Sequence, residues 1–141
     1  MCCDGYLIRP SRMDSEARSC RFYQRVFQRI PSDSDRAVAQ SEVRLKDDIV
    51  DLLICGRDWR LVIENKIDHQ DVGQCERYTL RWPRSDFVYL TPDGRRSKCG
   101  ETFKPVSYRI VREVLDDLCR HGAGNDFIRC FADHIAWDLY A

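Results

Sequence analysis

Three ionisable residues stand inside apolar stretches of this sequence. Asp51 interrupts IVDLLI at 49–54, and Glu64 and Lys66 interrupt LVIENKI at 61–67. Side chains alternate across a strand, so Ile49, Asp51 and Leu53 share one face, and Val62, Glu64 and Lys66 share one face. Glu64 and Lys66 are then about 7 Å apart along the strand. An even-numbered hairpin loop, such as Gly56 to Trp59, puts Asp51 opposite Glu64, and other even lengths make it a diagonal neighbour on the same face. Two carboxylates this close repel, and burying them is costly unless a cation neutralises them. A hard divalent ion such as Mg²⁺ does so with one or two carboxylates and several waters. Lys66 beside it can orient a water or stabilise charge developing on phosphorus, a set of groups suited to phosphodiester hydrolysis. On residue types alone, an Asp51–Lys66 or Glu64–Lys66 ion pair on a solvent-facing strand is an equally good reading.

The elements that must position these residues are legible from periodicity and punctuation. Glu16, Cys20, Tyr23, Phe27 and Ile30 recur at helical spacing over Asp14 to Ile30, and Pro31 ends the run. A weak strand is expected from Val38 to Leu45 and a stronger one over 48–54. A turn at Gly56-Arg57-Asp58 leads to a returning strand over 60–67. Asp68 or Asp71 can cap a helix reaching Trp82, which Gly73 weakens and Pro83 ends. DFVYLT at 86–91 reads as a strand, and PDGRRSKCGE at 92–101 as a basic loop. Ser107 caps a helix carrying Ile110, Val111, Val114, Leu115 and Leu118 on one face, closed by Gly122. A last helix from Asp126 carries Ile128, Phe131, Ala132, Ile135 and Leu139. The expected fold is α/β, an α-β-β-β-α-β core with a mixed sheet flanked by helices, plus two C-terminal helices. No repeat or low-complexity stretch divides the chain, so residues 1–141 read as one domain.

The ordered set of Asp51, Glu64-Asn65-Lys66, Gln74-Cys75-Glu76-Arg77-Tyr78 and YLTPDG at 89–94 resembles the PD-(D/E)xK nuclease superfamily, in particular small families with D…ENK…QxxxY motifs in its RecB-like branch. The resemblance spans about Glu42 to Tyr108. It implies a restriction-endonuclease-like core and a Mg²⁺-dependent nuclease, with Mn²⁺ as a substitute, in which a metal-activated water cleaves nucleic acid, DNA foremost. Asp51 and Glu64 would ligate the metal, with the Asn65 backbone carbonyl as a further ligand, and Lys66 would act on the nucleophilic water. Gln74 and Tyr78, i and i+4 on one helix face, would support the lysine or contact the nucleic-acid strand. Glu42 matches an acid on the preceding strand, and Glu16 is the candidate acid of the first helix. Small nucleases of this kind often need a second subunit, so a homodimer is compatible with the reading. The chain departs from the pattern in its short N-terminal region, in Gln70-Asp71 where relatives have the reverse order, and in Cys75 where leucine is usual.

Bulk properties bound this reading without deciding it. Lys and Arg total 23 and Asp and Glu 23, so a strongly basic nucleic-acid binder is not indicated, although a local basic groove remains open. Arg77, Arg81 and Arg84 on one helix and its end, and Arg95, Arg96 and Lys98 in the loop, are candidate phosphate contacts or simply a solvated face. No apolar run is long enough to span a membrane and the first residues lack a secretory pattern, so a cytoplasmic protein with reduced thiols is expected. Cys55, Cys75 and Cys119 read as small core residues. Cys119, His121, Cys130 and His134 form a zinc set only on paper, because no finger has their spacing. Cys2, Cys3, Cys20, Cys119 and Cys130 do not have the grouping of an iron–sulfur site. The competing function is a non-catalytic nucleic-acid- or protein-binding module on the same fold.

Overall fold

The computed structural model describes residues 21–29, 37–67, 73–98 and 100–122. Helix α1 covers residues 21–27. Strands β1 (Val38–Arg44), β2 (Ile49–Cys55) and β3 (Arg60–Asn65) follow, then helix α2 (Gln74–Arg81), β4 (Asp86–Thr91), a 3₁₀ turn at Gly100–Thr102, β5 (Lys104–Ser107) and helix α3 (Tyr108–Arg120). The five strands make one mixed sheet in the order β1-β2-β3-β4-β5. The first three are antiparallel neighbours, as tight turns require. β3 and β4 are parallel, and α2 supplies the crossover that a parallel pair needs.

The hairpin closes with Cys55 opposite Arg60, leaving the even loop Gly56 to Trp59. Gly56 N–H donates to the Trp59 carbonyl at 2.9 Å. The Trp59 indole lies so closely on Gly56 that a Cβ there would fall 1.9 Å from its Nε1, which only glycine avoids.

Each sheet face has its own apolar cluster. Leu53, Cys55, Val62, Phe87 and Tyr89 pack with Cys75 and Tyr78 of α2, together with Trp82 and Phe103. On the other face Ile54, Leu61, Ile63, Val88 and Val106 pack with Tyr23 and Val26 of α1, and Ile110 of α3 packs against them. Alternating burial along β2 to β4 therefore sends two sets of side chains into two helical layers.

Two helix boundaries, one strand end and one added strand differ from expectation. β3 stops at Asn65 rather than Ile67, so Lys66 lies just past its end. α1 stops at Phe27 rather than Ile30, because Gln28 takes the left-handed region at φ 55 and Lys104 Nζ donates to the Val26 carbonyl at 2.5 Å. α2 starts at Gln74, with Gly73 at its N-cap and φ 91, instead of at an aspartate cap. β5 is an additional strand, four residues long and containing Pro105, that lies at the sheet edge where proline costs no central hydrogen bond. Residues 14–20, with Glu16, and the helix expected from Asp126 lie outside the described residues. Among the described residues, no helix is long and apolar enough to cross a membrane.

Candidate functional site

The β2–β3 ladder runs from Cys55↔Arg60 to Leu52↔Ile63 and stops. One further step in this register sets Asp51 across from Glu64. β3 instead stays bonded to β4 as far as Asn65↔Leu90, and the next amide, Lys66 N–H, donates to the Leu90 carbonyl at 2.9 Å. Alternation then turns the Asn65 N–H towards β2, where Asp51 Oδ2 accepts it at 2.7 Å. The carboxylate thus replaces a strand partner for a backbone donor that would be costly to leave unsatisfied. β2 and β3 separate at this point, with both acids on the side covered by α2.

Glu64 is 1% exposed. Lys66 Nζ lies 2.7 Å from Glu64 Oε1 and donates to Gln74 Oε1 at 2.5 Å. Burial pulls the Lys66 pKa down, but the hydrogen bond and charge of Glu64, followed by Asp51 and Tyr89, outweigh it, and the net direction is upward. Lys66 is therefore an ammonium at neutral pH, a donor and point charge rather than a base.

Gln74 and Tyr78 do share a helix face, and they do different things. Gln74 reaches Lys66, whereas Tyr78, fully buried, donates its hydroxyl to the Ile49 carbonyl at 2.9 Å. That bond fixes the start of β2 two residues before Asp51. Burial first, and then the charges of Glu64, Asp48 and Asp51, push the Tyr78 pKa far up, so it remains a neutral donor.

Two participants escaped the sequence reading. Asp48, just before β2, receives Arg77 Nε and Nη2 on its two oxygens, each at 2.5 Å, and its side chain is only 6% exposed. Arg77 holds the Asp48 carboxyl below its ordinary range, and Gln74 adds a side-chain hydrogen bond in the same direction. Arg77 is thus engaged with an aspartate rather than open to phosphate. Tyr108, the first residue of α3, donates to Asn65 Oδ1 at 2.5 Å and fixes the residue between Glu64 and Lys66. The signal for Asp48 was its place three residues before Asp51 in KDDIVD, opposite an arginine on α2. Nothing local marked Tyr108.

Glu42 is exposed on β1 with φ 51, at the single gap of the β1–β2 register, where the β2 position is Asp51. The other candidates are dispersed. Arg81, Arg84, Arg95, Arg96 and Lys98 are exposed. Cys55 and Cys75 are buried as expected, but Cys119 is only half-buried near the end of α3. His121 Nδ1 sits 3.2 Å from Asp117 Oδ1, while Cys130 and His134 lie outside the described residues. Among the described residues, no group of three or more His, Cys, Asp or Glu is arranged to hold a metal. A cleft of about 630 Å³ lies between α1 and α3 and is lined by residues including Arg21, Arg25, Glu113 and Asp117, on the opposite side of the sheet. Comparison of the chain with protein-family models, curated proteins and solved structures gave no match.

Proposed function

We propose that this chain is a metal-dependent nuclease of PD-(D/E)xK type that hydrolyses phosphodiester bonds, with DNA as its favoured substrate. The observation that carries the reading is the Lys66 ammonium held between buried Glu64 and Gln74, beside Asp51 at the point where β2 and β3 part. The α-β-β-β-α-β part of the chain order is consistent with a restriction-endonuclease-like core. A buried ion pair is a poor device for stability, since desolvating both charges offsets most of their attraction. A charged site that needs a dry, fixed geometry gives it a reason to exist.

The donor set fits a hard divalent ion. Asp51 and Glu64 offer carboxylate oxygens from neighbouring strands, and the Asn65 carbonyl lies between Glu64 and Lys66 in sequence. Two carboxylates with a backbone carbonyl suit Mg²⁺ or Mn²⁺, which keep several waters, and not zinc. When bound, such an ion neutralises the acids and polarises the phosphate. Lys66 donates to a phosphate oxygen or holds the attacking water in line. Gln74 keeps the ammonium aimed, Tyr78 anchors β2, and Tyr108 anchors Asn65. Water attacks phosphorus directly, loses its proton to solvent, and the P–O bond to the leaving sugar oxygen breaks, with no covalent bond to the chain.

The test is incubation of labelled linear duplex, single strand and plasmid with Mg²⁺, Mn²⁺ or EDTA, alongside Lys66→Ala. Cleavage should require metal and fall by about 10²–10³-fold or more in the variant. Folded wild-type protein that cuts nothing in either metal would replace this reading with the non-catalytic binding module.

A further inference from the structure

Gln74 has two chemically different ends, and its neighbours determine which way it faces. Lys66 can only donate, and it meets Oε1 at 2.5 Å. The Nε2 end must then face the other partner. That partner is Asp48, whose carboxylate can only accept when ionised. Asp48 is kept ionised and in place by the two-pronged Arg77 guanidinium, 2.5 Å to each oxygen. The bonds converge on an acceptor: Arg77 donates to Asp48, Gln74 donates to Asp48, Lys66 donates to Gln74, and Lys66 also meets Glu64 at 2.7 Å. Reversing the carboxamide would set its NH₂ against the ammonium and its oxygen against the carboxylate.

We propose that Asp48, with Arg77 behind it, is a positioning residue that fixes the orientation of the Gln74 carboxamide and so aims the Lys66 ammonium at the reacting phosphate. The inference rests on the nuclease reading for its catalytic consequence, but not for the orientation itself. Asp48 touches no reacting atom and acts through Gln74.

A pair of near-isosteric variants tests the orientation. Asp48→Asn leaves a single oxygen to serve both Arg77 prongs and the Gln74 amide. The carboxamide is then held less firmly with its oxygen on Lys66, and kcat should fall about 10- to 100-fold with KM for DNA little changed. Adding Gln74→Glu removes the need for an orientation, because a carboxylate accepts from Lys66 with either oxygen and can also accept from the introduced asparagine amide. The double variant should recover to within a few-fold of wild type, well above the product of the single-variant effects. A role limited to holding α2 against β2 would give no such recovery. A second readout does not need cleavage: the side-chain NH₂ signals of Gln74 in a ¹⁵N spectrum, assigned by their absence in Gln74→Glu, should shift strongly in Asp48→Asn and little in Phe103→Leu. Unchanged signals, an unchanged kcat, or a double variant no better than additive would overturn the inference. Wild-type protein that cuts nothing would reject the nuclease reading, and the spectrum would still decide the orientation.

Discussion

The two faces of the sheet use the same charged residue types in opposite ways. On the α1–α3 face the ion pairs stand at the rim: Arg21 with Asp117, Arg25 with Glu113 at 2.9 Å and Arg29 with Asp86 at 2.7 Å. The Arg25 and Glu113 side chains are 51% and 44% exposed. The first two pairs tie helix to helix, and the interior is left to Tyr23, Val26 and their neighbours. On the α2 face the charges go underneath the helix. Glu64 is 1% exposed and Lys66 15%, and the bonds from Lys66 through Gln74 and those from Arg77 converge on Asp48. The rim pairs can be lost with little consequence, being worth about 0–1 kcal/mol each. The buried set costs desolvation and is poor reinforcement, which favours chemistry there over the cleft on the other face.

The sharpest way to break this comparison is to remove one partner of the buried pair. Lys66→Met keeps the apolar stem but leaves Glu64 without its ammonium, and should destabilise the fold by about 3 kcal/mol in urea titration. The Glu64→Leu/Lys66→Met double variant, with both charges gone, should return close to wild-type stability while staying inactive. A double variant as unstable as Lys66→Met would mean that the pair serves the fold. Tyr78→Phe comes next. It leaves the Ile49 carbonyl without the Tyr78 hydroxyl and should cost about 1–2 kcal/mol, with a loss of cleavage as the start of β2 loosens beneath Asp51. Stability and cleavage both unchanged would show that Tyr78 contributes only its ring to the core.

Sequence pattern carried the central strands because their signals are local. Alternation in IVDLLI and LVIENKI placed Asp51, Glu64 and Lys66 on one face, and the four-residue loop gave the register that sets the acids opposite each other. The spacing of Gln74 and Tyr78 put both on the inner side of α2. It could not say that one would reach Lys66 and the other a backbone carbonyl, because that depends on where β2 starts in space. Arg77 and Asp48 look like two surface charges 29 residues apart until the sheet brings α2 over the β1–β2 turn. Tyr108 is found only through the crossing that delivers α3 to the end of β3. β5 stayed hidden because four residues containing a proline show no strand period, and its partners exist only once β4 is in place.

The smallest expected effect sharpens the contrast most cheaply. Arg25→Ala removes an exposed pair between α1 and α3, so its cost should not exceed about 1 kcal/mol. Salt then separates the two faces. At about 1 M ionic strength the screening length falls to about 3 Å, so what little Arg25→Ala loses should disappear. The deficit of Lys66→Met should persist, because no counterion reaches a carboxylate that is 1% exposed. Parallel urea titrations at low and high salt measure both. Equal salt sensitivity would mean that water and ions enter the α2 face as freely as the rim, and the dry, fixed geometry that the nuclease reading requires of Glu64 and Lys66 would be lost.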